Sequence, residues 1–517
     1  MKQKIAFCIS LLLIVTSFNV MSQVRFQRSI SLLAGQSIKQ TVDHGYILVA
    51  NNYNVVTTSG NVLSSSVLLT KLDSAGSFLW TNAFEAKDLN QVYCVEETND
   101  KGYIFSGFTA SNISNIYSAY IVKSDSMGNL IWSKIFNTPN ENIAYCVKQT
   151  IDGGYALSGT TNTGPFIIKT DANGDTIWTK QYGSSGYLDG RYAIEQTKDS
   201  GYILVGTRAD SIHYSLMDVI KTDVNGDTIW TRSYGATYRL IGRSIHQTDD
   251  GGYVLFGYGG SSFTGNWSLY LLKIDSIGNL KWSKTLACHG GDTYGWEVHE
   301  TTDHNYFWEG MGCDSTFHYK TYILKTDTSG NLLWSREYGG ANYVYSYSGV
   351  QTDDGGYCLT GQGDVGLIKT DSNGVSGCQE GVPNLLVGPG NIITLNETNV
   401  ISRPTFIVSS PSTLATPFLG VYDSVICLSV NVNYINYVHS ISVFPNPTSG
   451  VFTIESSQLF KNADIVILNS IGEIVFSRRR SQFTNEVIDL SFVSDGLYTI
   501  KIISDDNLYI SKIIIYR

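Results

Sequence analysis

Two turns carry carboxylates at a spacing that suits a hard cation. They read Asp171-Ala172-Asn173-Gly174-Asp175 and Asp223-Val224-Asn225-Gly226-Asp227. A calcium loop needs several carboxylates and carbonyls converging on one ion. The equivalent turns elsewhere in the chain lack the last aspartate, so the ligand set is incomplete and a turn capped by its first Asp is the better reading. Lys71, Lys123, Lys169, Lys221, Lys273, Lys325 and Lys369 each stand two residues before an aspartate. On a strand both side chains then share a face. The expectation is a repeated structural ion pair with its ammonium near solvent. The histidines form no HExxH, and neither a GxSxG elbow nor a phosphate loop occurs. His289 and Asp292 share a loop with no third partner in sequence. No metal, no cofactor and no catalytic set is expected.

One column suits recognition instead. Gln36, Tyr93, Tyr145, Tyr192, Arg243, Trp296 and Tyr347 begin the first strand of successive repeats, and the loops before them differ most between copies. The candidate ligand face is Tyr187, Asp189, Tyr238, Arg243, Tyr294, Trp296, Tyr343 and Tyr347. Aromatic rings with a few Arg and Asp suit a glycan or a surface protein. Packing between repeats is the competing explanation of the column.

The elements that position these residues are repeats. Thr-x-Asp-x-Gly-Tyr begins at Thr41, Thr98, Thr150, Thr197, Thr248, Thr301 and Thr352, with Asn305 replacing the glycine once, as expected of a residue tolerating a left-handed turn. Lys-x-Asp-x-x-Gly follows in each copy, and Trp80, Trp132, Trp178, Trp230, Trp282 and Trp334 fall four residues after its glycine. Each copy holds four strand-like runs around tight turns. One four-stranded antiparallel sheet per copy, seven times, is the arithmetic of an all-β, seven-bladed β-propeller over residues 23–378. The tryptophans read as wedges between blades. These turns also resemble the Asp box of sialidase propellers, Ser-x-Asp-x-Gly-x-Thr-Trp, but both spacings are one residue longer, which leaves turn logic and no glycosidase chemistry. The seventh copy lacks a fourth strand after Gly374, and residues 24–30 look like a fourth strand without the first three. They are expected to complete the last blade.

Charged residues are 15 % of the 517, against 50 glycines and 33 tyrosines, and the net charge is −10 without long runs. That profile fits a β-rich protein and gives no footprint for nucleic acid. Residues 1–22, with Lys2, Lys4 and an apolar stretch from Ile5 to Val20, read as a signal peptide. No later segment is apolar enough to span a membrane. Cys94 and Cys146 occupy equivalent positions, which favours small core residues over a bridge; Cys378 and Cys427 are the expected disulfide. Residues 379–440, rich in Pro, Ser, Thr and Asn, read as a linker with extended segments.

Residues 441–517 alternate as short strands and form a small β-sandwich. Phe444-Pro445-Asn446-Pro447 with Gly450, the hairpin at Gly472, Asp495-Gly496-Leu497-Tyr498 and Lys512 form an ordered set. This set resembles the C-terminal sorting domain of type IX secretion cargo and covers the whole segment. The resemblance implies Sec passage, outer-membrane export, engagement of the type IX machinery through 441–517, and a secreted or surface-attached product. The expectation is a non-catalytic binding or scaffold propeller; the alternative is a polysaccharide-directed enzyme with its site on the propeller face.

Overall fold

The computed structural model describes residues 23–516 apart from 31–33, 57–61, 87–88, 111–115, 139–140, 184–192, 211–213, 237–238, 261–265, 289–290, 314–317, 340–343, 364–365, 379, 384, 398–406, 410–413, 418–422, 432–440, 470–473 and 505–506. The signal-peptide segment 1–22 therefore lies outside the described residues, as does His289. The chain divides into two compact units, Met1–Val430 and Asn431–Arg517. All regular elements among the described residues are strands, and no helix is long and apolar enough to cross a membrane.

The first unit is a seven-bladed propeller. Its inner strands are Ala34–Gln40, Leu89–Glu97, Asn142–Gln149, Ala193–Gln196, Arg239–Gln247, Thr293–Glu300 and Val344–Gln351. Each touches the next, and the seventh touches the first, so the ring is closed. Each begins an antiparallel sheet; in blade 2 the order is Leu89–Glu97, Tyr103–Ala110, Ser118–Ser124, Leu130–Asn137. Blade 7 takes its fourth strand from the other end of the chain: Gln23–Ile30 pairs with Leu367–Thr370, Phe26 opposite Lys369. A single blade leaves both faces apolar, and stacking in a circle buries them.

The repeat motifs explain the joints. In Thr41–Tyr46 the Thr41 hydroxyl donates to Asp43 (2.5 Å), and Asp43 also accepts from the Gly45 N–H (3.0 Å). The left-handed residue is the one before the glycine, as at His44 (φ 64°), Lys101 (62°) and Ser200 (66°), and in the sixth copy it is His304 (61°), before Asn305. Asn305 is therefore not in a left-handed turn. Glycine is used because a Cβ at Gly45 would stand 2.3 Å from the Leu72 carbonyl and 2.5 Å from Lys71 Nζ. The lysines also differ from expectation. Each pairs with the aspartate of the neighbouring hairpin, not with the one two residues on: Lys71 with Asp43 (2.9 Å), Lys221 with Asp199 (2.8 Å), Lys369 with Asp354 (2.8 Å). The ammonium is the enclosed partner; in the first pair the lysine side chain is 5 % exposed and the carboxylate 58 %. Asp73 and its equivalents instead hold the second turn, Asp73 accepting from the N–H groups of Ala75 (2.9 Å) and Ser77 (2.7 Å). Asp175 and Asp227, the extra carboxylates of the two acidic turns, pair with Lys134 (2.9 Å) and Lys180 (2.8 Å) of the preceding blade.

The tryptophans do sit between blades, but they are half-buried, while the motif tyrosines they contact are enclosed. Trp178 meets Tyr202 at 5.8 Å and Trp334 meets Tyr357 at 5.6 Å. A second joint closes the circle. The side chain at the end of each inner strand accepts an N–H from the preceding blade's turn: Glu97 from Val42, Gln149 from Asn99, Gln196 from Ile151, Gln247 from Lys198, Glu300 from Asp249, Gln351 from Thr302, and Gln40 from Asp353.

Residues 379–440 are more than a linker. Glu380–Gly381 pairs with the outer strand of blade 6, Leu385–Pro389 with that of blade 5, Ile393–Glu397 with that of blade 4, Ile407–Ser409 with that of blade 2 and Leu414–Pro417 with that of blade 1. Asp423–Asn431 then lies beside Gln23–Ile30 in blade 7. The segment runs backwards around the circumference as a belt and caps edges that would otherwise present unpaired backbone groups. Pro389 and Pro417 fit there because an outermost strand has one side free of ladder bonds. Cys378 is disulfide-bonded. Cys427 lies on the belt strand beside Gln23–Ile30, and its side chain is outside the described set.

The second unit is one five-stranded antiparallel sheet built on the long strands Val451–Leu468 and Ile474–Asp489, whose register breaks between Glu455 and Phe460. Residues on both sides of the break, Phe452 and Ile454 with Ile465 and Ile467, share one core with Ile500 and Ile513. Asn446 works as a strand extension: its amide donates to the Lys512 carbonyl (2.8 Å) and accepts from the Ile514 N–H (2.9 Å). The prolines on either side, Pro445 and Pro447, follow cis bonds. Gly450 has φ 127°, and a Cβ there would lie 2.8 Å from the Ser491 backbone. The Tyr498 hydroxyl donates to the Ser494 carbonyl (2.6 Å), two residues before Gly496.

Candidate functional site: the axial cavity

The recognition column is a column of β-bulges. The pairing register shifts at Gly35/Ser37, Val92/Cys94, Ala144/Cys146, Gly242/Ser244, Gly295/Glu297 and Ser346/Ser348, so Gln36, Tyr93, Tyr145, Arg243, Trp296 and Tyr347 are the extra residues. A bulge re-aims its side chain. Here all six line one cavity of about 110 Å3 on the ring axis. Tyr192, the seventh member, lies outside the described residues.

The wall is continuous on two sides. The rings of Tyr93 and Tyr145 are 4.9 Å apart, and those of Trp296 and Tyr347 are 5.8 Å apart. The Arg243 guanidinium stands 5.2 Å from the Trp296 ring and 5.3 Å from that of Tyr258, and it donates to the Tyr258 hydroxyl (2.7 Å). The Tyr93–Tyr145, Trp296–Tyr347 and Arg243–Trp296 contacts join neighbouring blades, so the column packs and rims the cavity at once. Arg243, Trp296 and Tyr347 are thus brought together. Tyr294 is set aside from the cavity lining, in a cluster with Tyr258 (5.0 Å), Trp267 (6.4 Å) and Tyr319 (6.3 Å). Tyr187, Asp189, Tyr238 and Tyr343 lie outside the described residues.

Below the rim, sequence reasoning missed a layer of ionisable side chains. Because a bulge places two successive side chains on one face, the residue after five of the six rim residues also lines the cavity: Ser37, Cys94, Cys146, Ser244 and Glu297. Glu297 accepts from the Ser348 hydroxyl (3.1 Å) and the Gly349 N–H (2.9 Å). Burial works against its charge, but Lys39, His299 and the Gly349 N–H outweigh it and hold the carboxyl down at about 2. Two residues further along the strands, His246 faces Glu195 at 3.3 Å, and Lys148 pairs with Glu96. Burial pushes Glu195 up to about 7 and His246 down to about 3. Strand alternation counted from the bulge, not from the strand start, is the signal that finds this layer.

Among the described residues, Asp249, Glu300 and His304 have metal-ligand spacing, with ligand atoms within 4.8 Å of one another. Glu300 already accepts the Asp249 N–H, and Asp249 pairs with Lys198 (3.0 Å).

Residues 442–516 match the family model described as the secretion system C-terminal sorting domain. No curated protein matches the sequence. Among solved structures, the chain is similar to Sqt1 from Chaetomium thermophilum, with 9 % identity over 67 % of this chain and 99 % of that one and a TM-score of 0.42. A protein of unknown function from Dyadobacter fermentans gives 10 % identity over 68 % and 98 % at TM-score 0.39. YCF48 bound to D1 peptide gives 10 % over 67 % and 97 % at TM-score 0.38. The blade geometry and the family match together make this chain a repeat β-propeller that carries a type IX secretion sorting domain at its C-terminal end.

Proposed function

We propose that the protein is a non-catalytic binding propeller, delivered to the outer surface or medium by its sorting domain, that seats a saccharide chain end in the axial cavity. Passage through Sec, directed by residues 1–22, belongs to the same reading. The observation that carries it is the bulge column: six blades each insert an extra residue, and all six side chains line one cavity. Packing alone needs no register shift, and a bulged ladder gives up hydrogen bonds that a straight one keeps. Four aromatic faces, a guanidinium and an amide suit the apolar faces and hydroxyls of sugars. Tyr294, Tyr258, Trp267 and Tyr319 extend the aromatic surface toward a longer chain or a surface protein.

The polysaccharide-directed enzyme needs two carboxylates open to one cavity. Glu297 lines this one, whereas Glu309, its partner across the strand pair, is fully enclosed, which weighs toward binding.

The test is a glycan array with the full chain, followed by calorimetric titration of the best ligand. Trp296→Ala and Tyr145→Ala should each weaken binding about three- to tenfold, an aromatic contact of this kind being worth ~0.5–1.5 kcal/mol. Leu79→Ser, on an exposed strand face, should leave it unchanged. Equal affinity in all three variants would remove the axial cavity from consideration.

A further inference from the structure

Cys94 and Cys146 hold equivalent positions on the inner strands of blades 2 and 3, each directly after its bulge residue. Their sulfurs are 3.7 Å apart, both thiols are free, and both line the axial cavity. The position has no packing need for sulfur, because the other blades place Ser37, Ala193, Ser244, Glu297 and Ser348 there. Two residues further on, Glu96 and Lys148 pair across the same blade boundary, so the two thiols form one rung above an ionic rung.

We propose that Cys94 and Cys146 are a reactive dithiol, open to the axial cavity, that closes into a disulfide tying blade 2 to blade 3. The sequence favoured two inert core thiols; their distance and their place on the cavity wall argue otherwise. A disulfide needs its sulfurs at about 2.05 Å, within reach of a side-chain rotation from hydrogen-bonded thiols on neighbouring strands. The roles within the pair are unequal. The Cys94 thiol donates to the Cys146 sulfur, and this bond together with the Lys148 charge outweighs burial and draws Cys146 below the usual thiol range. Cys94 is pushed the other way, by the same bond and by burial. Cys146 is also the less buried of the two, Cys94 being 7 % exposed, so Cys146 is the attacking thiolate and Cys94 the resolving thiol.

The reaction is thiol–disulfide exchange, with a small disulfide as oxidant. The Cys146 thiolate attacks one sulfur of the oxidant, forms a mixed disulfide and expels the first thiolate. Cys94 loses its proton, attacks the Cys146 sulfur and expels the second. Two protein thiols are oxidised and one disulfide is reduced to two thiols. A chain exported beyond the cytoplasm meets such oxidants.

The experiment treats the reduced full chain with bis(2-hydroxyethyl) disulfide at neutral pH, alkylates remaining thiols under denaturing conditions and maps non-reduced peptides by mass. The wild type should yield the Cys94 and Cys146 peptides linked, with Cys358 alkylated: that thiol is fully buried and burial holds it up at about 12. Cys94→Ser should stop at a mercaptoethanol adduct on Cys146, and Cys146→Ser should leave Cys94 alkylated. Serine already occupies the position in three blades, so both variants should fold. The linked form should melt about 5 °C or more above the reduced one, as a cross-link closing a loop of this length does. Recovery of both cysteines alkylated after treatment, or a persistent adduct without linkage in the wild type, would overturn the dithiol.

Discussion

Phe26 packs on Gly76 in the way that Trp80 packs on Gly128. A Cβ at Gly76 would stand 2.3 Å from Phe26 Cζ, and one at Gly128 would stand 2.5 Å from Trp80 Cζ3. Both glycines have positive φ, 74° and 78°. Blade 7 has no tryptophan of its own, and a residue from the far end of the chain supplies the wedge that presses on blade 1.

Phe26→Ala should therefore destabilise the ring more than its position near a chain end would imply. The side chain is 0 % exposed and sits in a core with Ile38, Leu48, Cys358 and Leu367. Truncating an enclosed Phe costs about 3–5 kcal/mol. Urea unfolding of the full chain should show that loss in the midpoint; a change of less than about 1 kcal/mol would mean blade 7 closes without it.

The lysine–aspartate pairs should differ in cost although their motif is the same. In blade 7 both partners are enclosed, Lys369 at 3 % and Asp354 at 15 % exposure, whereas in blade 4 Asp199 is 57 % exposed. Asp354→Ala strands a buried ammonium and should cost about 3 kcal/mol. Asp199→Ala leaves a site that water can reach and should cost about 1 kcal/mol. Chemical denaturation of the two variants side by side checks the order, and equal losses would show that exposure is not the deciding variable.

How much of this was legible in sequence depends on the distance over which a pattern acts. The seven blades were readable because each motif closes its own hairpin, as Thr41 through Tyr46 does. Partners across a hairpin were not: Lys71 stands two residues from Asp73, yet it turns to Asp43, because the ladder brings Ile47 opposite Lys71 and places the first turn at that end. Arg243, Trp296 and Tyr347 could be picked from their column, but the bulges that unite them are a property of pairing and leave no mark on one strand read alone. The belt was hidden for the same reason. Leu414–Pro417 finds its partner in Phe78–Glu85, and its short run carries little pattern of its own.

Glu309 makes stability depend on pH. It is fully enclosed between blades 6 and 7, and a Cβ at Gly349 would stand 3.0 Å from its Cγ. Burial pushes its carboxyl well above the usual glutamate range, and the Glu297 charge adds to the effect, while neither carboxyl oxygen has a hydrogen-bond partner among the described residues. The acid is therefore neutral when folded. A raised folded-state value means that its contribution is intact below the ordinary glutamate value and is lost as pH rises toward the folded one. Glu309→Gln keeps the shape and removes the titration. Melting curves from pH 5 to pH 9 should show the variant gaining on the wild type as pH rises, and a constant difference would sink the assignment.

The belt has a consequence for the order of events in the life of the chain. It can be laid only on blades that already exist, and it travels from the sixth back to the first before finishing at the seventh, next to the strand with which the propeller began. The address label at 442–516 follows the last stitch of this hoop. A protease that cuts between the two leaves the six staves that the hoop is seen to bind, blade 7 among them, still bound, so the form survives when the label is torn off.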